Sequence, residues 1–229
     1  MEEPGFFSTI FEPIEYLFAT LLNYLYQLTE MLGFGSYGLA IIILTVLMKI
    51  ILYPLTVKQL KSMRAMQEIQ PKMQRLQEKY KDNPQLMQQK LMKLYQDAGV
   101  NPAAGCLPML AQMPILMAMY YTLFNFDYGG VAPSFLWLPS LSETDPTYIL
   151  PLISALSTYV LQKISAVSMP NSGQQTKIFM IIMPIFIGWI SLNFPAGLVL
   201  YWITMNVVQM IQQFWVYRSI DKQSDKEAS

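Results

Sequence analysis

The sequence predicts an all-α, polytopic membrane protein with five transmembrane helices, a cytoplasmic helical hairpin and an N-terminal interfacial helix. Of the 229 residues, 53% are hydrophobic and only 13% are charged, whereas soluble domains carry about 25% charged residues. Five apolar runs are each long enough for a helix to cross the roughly 30 Å hydrocarbon core of a bilayer. The basic residues are confined to particular segments between and after these runs.

The apolar runs define the predicted spans and the segments around them. Pro and Gly occur in the short stretch from Asn193 to Gly197, between the last two runs, so these two helices are expected to form a hairpin. The predicted spans are 38–57, 106–126, 148–168, 178–194 and 197–217, the last four forming the domain 106–217, and the remaining segments are 1–37, 58–105, 169–177 and 218–229.

The positions of Lys and Arg predict the orientation of the chain. Nine of them lie within 58–105, whereas residues 1–48 and 94–162 contain none. Because cytoplasmic loops are enriched in Lys and Arg, the N-terminus is expected outside, and the loop 169–177 and the tail 218–229 in the cytoplasm. Five spans fit this arrangement because it requires an odd number.

The N-terminal segment is predicted to contain an amphipathic helix that lies on the outer membrane surface. Residues 12–32 are apolar but are interspersed with Glu15, Asn23, Gln27 and Glu30. The alternative is a sixth span. That alternative would place the acidic N-terminus inside, with no basic residue at either end of the helix.

The segment 58–105 is predicted to be a helical hairpin. Asn83-Pro84 indicates a turn with Pro at the first helical position, Gly99 ends the second helix, and Pro71 is expected to kink or interrupt the first. The hairpin could bind anionic lipid headgroups or dock a partner, or its charges could simply determine topology. One helical face is formed by Val57, Leu60, Met63, Met66, Ile69, Met73, Leu76 and Tyr80.

Lys49 is the one charged residue in the interior of a predicted span, since Lys163 lies towards the end of the third span. It lies nine residues before Lys58, which along a straight helix is about 13 Å from the cytoplasmic end. No Asp or Glu lies in any span to pair with it, and an unpaired lysine there would cost a few kcal/mol. A water-filled groove would remove that cost. The alternative is that Lys49 reaches the interface with its long side chain.

Amides in the cytoplasmic halves of the spans favour such a groove. They predict a cavity open to the inner side and closed above, rather than a through-pore, although amides can also simply join helices. A positive groove would attract an acidic, polar segment and shelter it partway across the bilayer. The residues concerned are Gln112, Gln162 with Lys163, and Asn206, Gln209 and Gln213.

Other function classes are disfavoured. The chain has no His and one Cys, Cys106, so no Cys/His metal site or Ser-His catalytic pair can form, and we expect no enzyme activity, no catalytic residue and no cofactor. A transporter or channel would require polar residues through the whole depth, and often inverted repeats, neither of which is seen. The zero net charge does not suggest nucleic-acid binding.

At these residues the sequence resembles the YidC family of membrane-protein insertases, bacterial relatives of the mitochondrial and chloroplast assembly insertases. Five motifs in family order carry the resemblance, which covers residues 38–220. They are Ile43-Leu44-Thr45-Val46-Leu47-Met48-Lys49-Ile50-Ile51-Leu52-Tyr53-Pro54-Leu55-Thr56, Gln70-Pro71-Lys72, Val100-Asn101-Pro102-Ala103-Ala104-Gly105-Cys106-Leu107-Pro108, Gln112-Met113-Pro114-Ile115 and Phe194-Pro195-Ala196-Gly197-Leu198-Val199-Leu200-Tyr201-Trp202.

The resemblance implies a five-span core in the bacterial cell membrane and a groove with one functional cation, which maps onto Lys49 where the family more often has arginine. It also implies that Thr45, Gln112, Met113, Tyr201 and Trp202 line the groove or contact substrate. The implied partners are nascent membrane proteins, the lipid bilayer, the ribosome and the Sec translocon. The expected function is therefore insertion of membrane proteins, with assembly of already inserted subunits as the alternative.

Overall fold

A computed structural model describes residues 6–101, 107–126, 128, 133–165 and 173–227, and the regular elements within these ranges are all helices. This confirms the all-α prediction. The helices are α1 Phe6–Met31, α2 Tyr37–Ile51, α3 Tyr53–Lys79, α4 Pro84–Asp97, α5 Leu107–Asn125, α6 Ile149–Ser165, α7 Gly173–Ser191 and α8 Ala196–Glu227.

The helices α5, α6 and α7 correspond to the second, third and fourth apolar runs, although residues 106 and 166–168 lie outside the described ranges. The helix α8 starts at Ala196 and continues to Glu227, through most of the segment predicted as a tail. Within the described ranges, no single helix is both long and apolar enough to cross a membrane by itself. The pair α2 and α3 meets the length and hydropathy requirement jointly, across a bend of 67°.

The first apolar run is divided by that bend. The helix α2 ends at Ile51, and α3 begins at Tyr53 with Pro54 in its first turn, where a missing N–H and the proline ring prevent continuation of the preceding helix. The Leu52 carbonyl then accepts from the Thr56 N–H at 2.9 Å. A single straight helix over 38–57 is therefore incorrect, and so is the depth calculated for Lys49, which lies two residues before the end of its helix.

The helices α3 and α4 pack on each other after a short turn. The side chain of Asn83 caps α4 by accepting from the N–H of Leu86 at 3.1 Å, and Gly99 follows α4 with a φ of +62°. The helix α3 continues through Pro71, so Pro71 does not interrupt it. The apolar residues buried between the two helices are Met66, Ile69, Met73, Leu91, Tyr95 and Val100.

The other helices form a second core. In it, α1 packs on α2 and α5, α2 packs on α8, and α6 packs on both α7 and α8. The last two helices are joined by the predicted tight turn, but α7 packs on α6 whereas α8 packs on both α6 and α2. Within the described residues they therefore do not form a side-by-side hairpin. A Cβ on Gly188 of α7 would lie 2.9 Å from the Cβ of Ala155, which shows how closely α6 and α7 approach.

The helix α1 covers the segment predicted to be amphipathic. Its Phe18 and Leu22 are buried in the second core, whereas Tyr16 and Tyr24 are exposed. The side chains therefore divide into an inward apolar face and an outward mixed face, as the sequence pattern predicts.

The loop before α6 closes one end of this core. The backbone N–H groups of Ala196 and Gly197, at the start of α8, donate to the carbonyls of Glu143 at 2.7 Å and Leu141 at 2.9 Å. Asp145 accepts from the N–H of Leu150 at 2.7 Å and so caps the first turn of α6. The loop thereby fixes where α6 and α8 begin, on which the position of the site depends.

Candidate functional site

A cavity of about 320 Å³ opens among α2, α3, α5, α6, α7 and α8. It is called the groove below. Six of the eight residues predicted for the site line it, and they come from three helices that are distant in the sequence. These six are Lys49, Gln112, Met113, Trp202, Asn206 and Gln209.

The remaining two predicted residues, Thr45 and Tyr201, line a much smaller adjoining cavity of about 10 Å³, together with Lys49 and Gln112. Both are 1% exposed. The Thr45 hydroxyl donates to the carbonyl of Ile41 at 2.7 Å, within its own helix. Thr45 therefore supports the wall behind Lys49 rather than the open part of the groove.

Lys49 is half-buried in the last turn of α2. Its Nζ donates to Oε1 of Gln209 at 2.9 Å, and its backbone carbonyl accepts from Nε2 of Gln212 at 3.0 Å. A cation in the last turn also interacts favourably with the negative end of a helix dipole. Because no carboxylate is among the described residues lining the groove, the Lys49 charge is held by a neutral acceptor and is not neutralised.

The second polar pair of the site joins α5 to α8. Nε2 of Gln112 donates to the hydroxyl of Tyr201 at 2.7 Å. Since Tyr201 is buried and Gln112 is only partly buried, this bond fixes one end of the Gln112 carboxamide while the side chain still faces the groove. Met113, the next residue, is 45% exposed and contributes an adaptable apolar surface.

Asn206 and Trp202 lie one turn apart on α8, and their polar atoms point towards α6. The indole Nε1 of Trp202 donates to Oγ1 of Thr158 at 3.1 Å. Nδ2 of Asn206 donates to the hydroxyls of Ser157 and Thr158, each at 3.1 Å. The structure thus brings these two predicted residues to the groove wall but uses their donors within the protein.

The other amides considered from the sequence differ in position. Gln162 lines the groove, Lys163 is exposed, and Gln213 is fully buried, with its Oε1 accepting from the Ser165 hydroxyl at 2.9 Å. Sequence reasoning missed Thr56, Gln59 and Thr158, which also line the groove. Polar residues following a Pro in an apolar run could have indicated the first two.

The groove is asymmetric along α2 and α8. Its lining includes Leu55, Thr56 and Gln59 from the start of α3, so it extends towards the α3–α4 pair. In the opposite direction, Ile41, Leu44 and Tyr201 belong to the buried core. The described side chains therefore form a pocket that is bounded by the buried core towards the loop 141–143 and extends along the start of α3.

The described part of the lining combines a single cation with amides and with a large apolar surface. Such a surface can bind a polar end and an apolar body at the same time. Its methionines can adapt to varied side chains. The amides are Gln59, Gln112, Gln162, Asn206 and Gln209, and the apolar side chains include Leu55, Leu161, Met183, Ile187 and Met205.

Comparison with known proteins gives concordant matches. Residues 27–223 match the family model described as 60Kd inner membrane protein. A protein of Geobacter sulfurreducens named Membrane protein insertase YidC is 41% identical over 216 residues, which is 94% of this chain and 38% of that protein. A protein of the same name from Haemophilus influenzae strain Rd is 44% identical over 188 residues, covering 82% and 34% respectively.

A crystal structure of an active YidC insertase with its first transmembrane domain resolved superposes with a TM-score of 0.65 at 30% identity. The match covers 90% of this chain and 46% of that one. This chain thus spans about 38% of the length of its curated relative from Geobacter sulfurreducens. Because the family model covers most of the sequence and several relatives exceed 30% identity, the chain belongs to the 60Kd inner membrane protein family, which includes proteins named membrane protein insertase YidC.

Proposed function

We propose that this chain inserts hydrophobic segments of nascent membrane proteins into a bacterial cell membrane. Family membership supports the proposal, and the observation that carries it is the groove around Lys49. There, a cation with no carboxylate partner among the described residues lies beside an apolar wall. This combination matches the chemistry of a hydrophobic segment with an acidic leading end. It requires no metal, cofactor or bond cleavage.

In the first step, a carboxylate of the substrate replaces Gln209 as the acceptor for Lys49 Nζ. The exchange is favourable because a charge-assisted hydrogen bond is roughly twice as strong as a neutral one. The groove thereby lowers the cost of moving a charged end away from bulk water. Gln112 and Gln162 supply further polar contacts for the substrate backbone.

In the second step, the hydrophobic segment moves along the apolar lining formed by α6, α7 and α8 into lipid. Transfer of each buried CH₂ group from water contributes about 0.8 kcal/mol, and the membrane potential adds about 2.3 kcal/mol per elementary charge per 100 mV. These terms drive release without nucleotide hydrolysis. The groove therefore acts by lowering the barrier to transfer.

For topology, we propose five spans with the N-terminus outside and the C-terminus in the cytoplasm, formed by α2 with the start of α3 and by α5 to α8. The basic residues on α3 and α4 support a cytoplasmic position for that pair, by the positive-inside rule. There it would continue from the α3 end of the groove and could meet a ribosome or the Sec translocon. The exposed tyrosines of α1 suit the outer interface.

The test is insertion of a small, acidic-tailed, single-span substrate into liposomes that contain only this chain. We expect the wild type and Lys49→Arg to insert it and Lys49→Ala to fail. Lys163→Ala, which removes an exposed cation at the end of α6, is the matched control and should insert normally. Failure of the wild type would instead favour assembly of already inserted subunits, and equal insertion by all variants would contradict a role for the Lys49 charge.

A further inference from the structure

Two adjacent hydroxyls on α6 hold the polar atoms of two groove residues on α8. Oγ1 of Thr158 lies 3.1 Å from the indole Nε1 of Trp202 and 3.1 Å from Nδ2 of Asn206. Both Thr158 and Ser157 are 7% exposed. Thr158 also lines the groove itself, so it is the point where α6, α8 and the groove meet.

The directions of these hydrogen bonds are determined by the chemistry of the groups. An indole N–H can only donate, so Thr158 must accept from Trp202. The Ser157 hydroxyl donates its proton to the carbonyl of Ser154 at 3.0 Å, so towards Asn206 it can only accept. Asn206 must therefore turn its NH₂ group to α6, where both of its hydrogens are used.

This arrangement makes Thr158 a shared acceptor. Removing its hydroxyl would deprive two donors at once. Asn206 is 2% exposed, and in such a site an unpaired polar group costs more than its hydrogen bond contributes. Trp202 could then rotate its indole, and Asn206 could turn its carboxamide. Both movements would change the wall of the groove without changing any residue assigned to it from the sequence.

We propose that Thr158 is a positioning residue, which holds the indole of Trp202 against the groove and directs the Asn206 oxygen away from α6. The functional part of this inference rests on the proposed insertase activity, whereas the positioning part does not. Ser157 contributes less to this positioning, because it accepts only from Asn206 and not from Trp202. The segment that moves along α6 and α8 would meet an indole face whose orientation Thr158 sets.

The experiment compares Thr158→Val, which keeps the branched shape but loses the acceptor, with Thr158→Ser, which keeps the acceptor. The protein in lipid nanodiscs is ¹⁵N-labelled, and the indole N–H resonances of its four tryptophans are recorded, with Trp202→Phe assigning that of Trp202. The same variants are tested for insertion in liposomes. Ser157→Ala, which leaves the Thr158–Trp202 bond in place, is the matched control.

We expect Thr158→Val to shift the Trp202 resonance and to slow insertion about fivefold, the factor for one net hydrogen bond of about 1 kcal/mol. Thr158→Ser and Ser157→Ala should leave the Trp202 resonance unchanged. An unmoved resonance in Thr158→Val would overturn the positioning role. A shifted resonance with unchanged insertion would overturn its functional part, and a wild type without insertion would overturn the proposed function while the resonance still decides the positioning.

Discussion

Lys49 and Gln209 are 160 residues apart in the sequence, yet Nζ of the first lies 2.9 Å from Oε1 of the second. The bond joins the last turn of α2 to the middle of α8, at the groove wall. It satisfies one proton of the ammonium group with a neutral acceptor. Lys49 is thus anchored, and its positive charge remains available to a carboxylate.

Replacing that acceptor by a carboxylate should inactivate the groove towards acidic substrates. Gln209→Glu has nearly the same shape but places a negative charge beside Lys49 Nζ. We expect insertion of an acidic-tailed substrate to fall about tenfold, a barrier increase of about 1.4 kcal/mol, while the protein still folds. The measurement is the insertion rate in liposomes, with Gln209→Asn, which stays neutral, as the control. Full activity of Gln209→Glu would show that the groove charge is not used.

The bond between Gln112 and Tyr201 should contribute to stability. Tyr201→Phe removes the hydroxyl that accepts from Gln112 Nε2 at 2.7 Å, and we expect the free energy of unfolding to fall by about 1 kcal/mol. The measurement is the free energy of unfolding in mixed micelles for the wild type, Tyr201→Phe, Gln112→Leu and the double variant, which together form a double-mutant cycle. A coupling energy indistinguishable from zero would mean that the two side chains do not interact in the folded protein.

Asp145 should make stability depend on pH at the acidic end. Burial alone would raise the pKa of this carboxyl, but hydrogen bonds from the Thr147 hydroxyl at 2.7 Å and from the N–H groups of Leu150 and Thr147 outweigh it and hold the pKa below the ordinary 3.8. A lowered folded-state pKa gives stability that is present above the unfolded-state pKa and is lost as pH falls through the folded-state pKa.

The comparison is between wild type and Asp145→Asn, whose unfolding temperatures are measured from pH 7 to pH 3. At pH 7 the unfolding temperature of Asp145→Asn should be lower than that of the wild type. On acidification it should fall by less, because the Asn side chain cannot take up a proton in this range. Ser142→Ala, a change in the same loop at an exposed residue, serves as the control. Parallel pH profiles for wild type and Asp145→Asn would contradict the assignment.

The contact between α6 and α7 depends on a glycine. A Cβ at Gly188 would lie 2.9 Å from the Cβ of Ala155, which neither backbone can relieve without moving. Gly188→Ala should therefore destabilise the protein by about 1–3 kcal/mol. The second change Ala155→Gly should restore most of that loss, which thermal unfolding of the single and double variants measures. If the double variant recovered none of the lost stability, the strain would not arise from the contact between residues 188 and 155.

Much of this fold follows from apolar periodicity and the positions of polar residues. Asn83-Pro84 and Gly99 delimit α4 as the sequence predicts, because capping and left-handed φ angles are local requirements. The bend at Leu52 was not predicted, because the apolar run continues through it and a proline such as Pro54 within an apolar run does not by itself indicate the end of a span. The extension of α8 was missed because polar residues after Arg218 carry no hydrophobic pattern.

The candidate site likewise contains residues that the sequence indicates and residues that it does not. Lys49 could be found because a charge inside an apolar run costs free energy, and Gln209 could be found from its helical spacing with Asn206. Thr158 could not, because hydroxyls are common in apolar helices and its role depends on a contact with α8 that is 44 residues away in the sequence. Local sequence thus indicates which polar groups need partners, whereas the identity of those partners depends on tertiary structure.

We infer that the Lys49 charge receives the acidic end of a substrate, and a charge-matching cycle examines this interaction without intermediaries. Wild type and Lys49→Ala are each reconstituted alone in liposomes, and insertion rates are measured for one single-span substrate with an acidic tail and for its Asp→Asn counterpart. We expect Lys49→Ala to slow insertion of the acidic substrate at least about tenfold, or 1.4 kcal/mol, and to leave insertion of the neutral one nearly unchanged. Equal slowing of both substrates, or of neither, would contradict it.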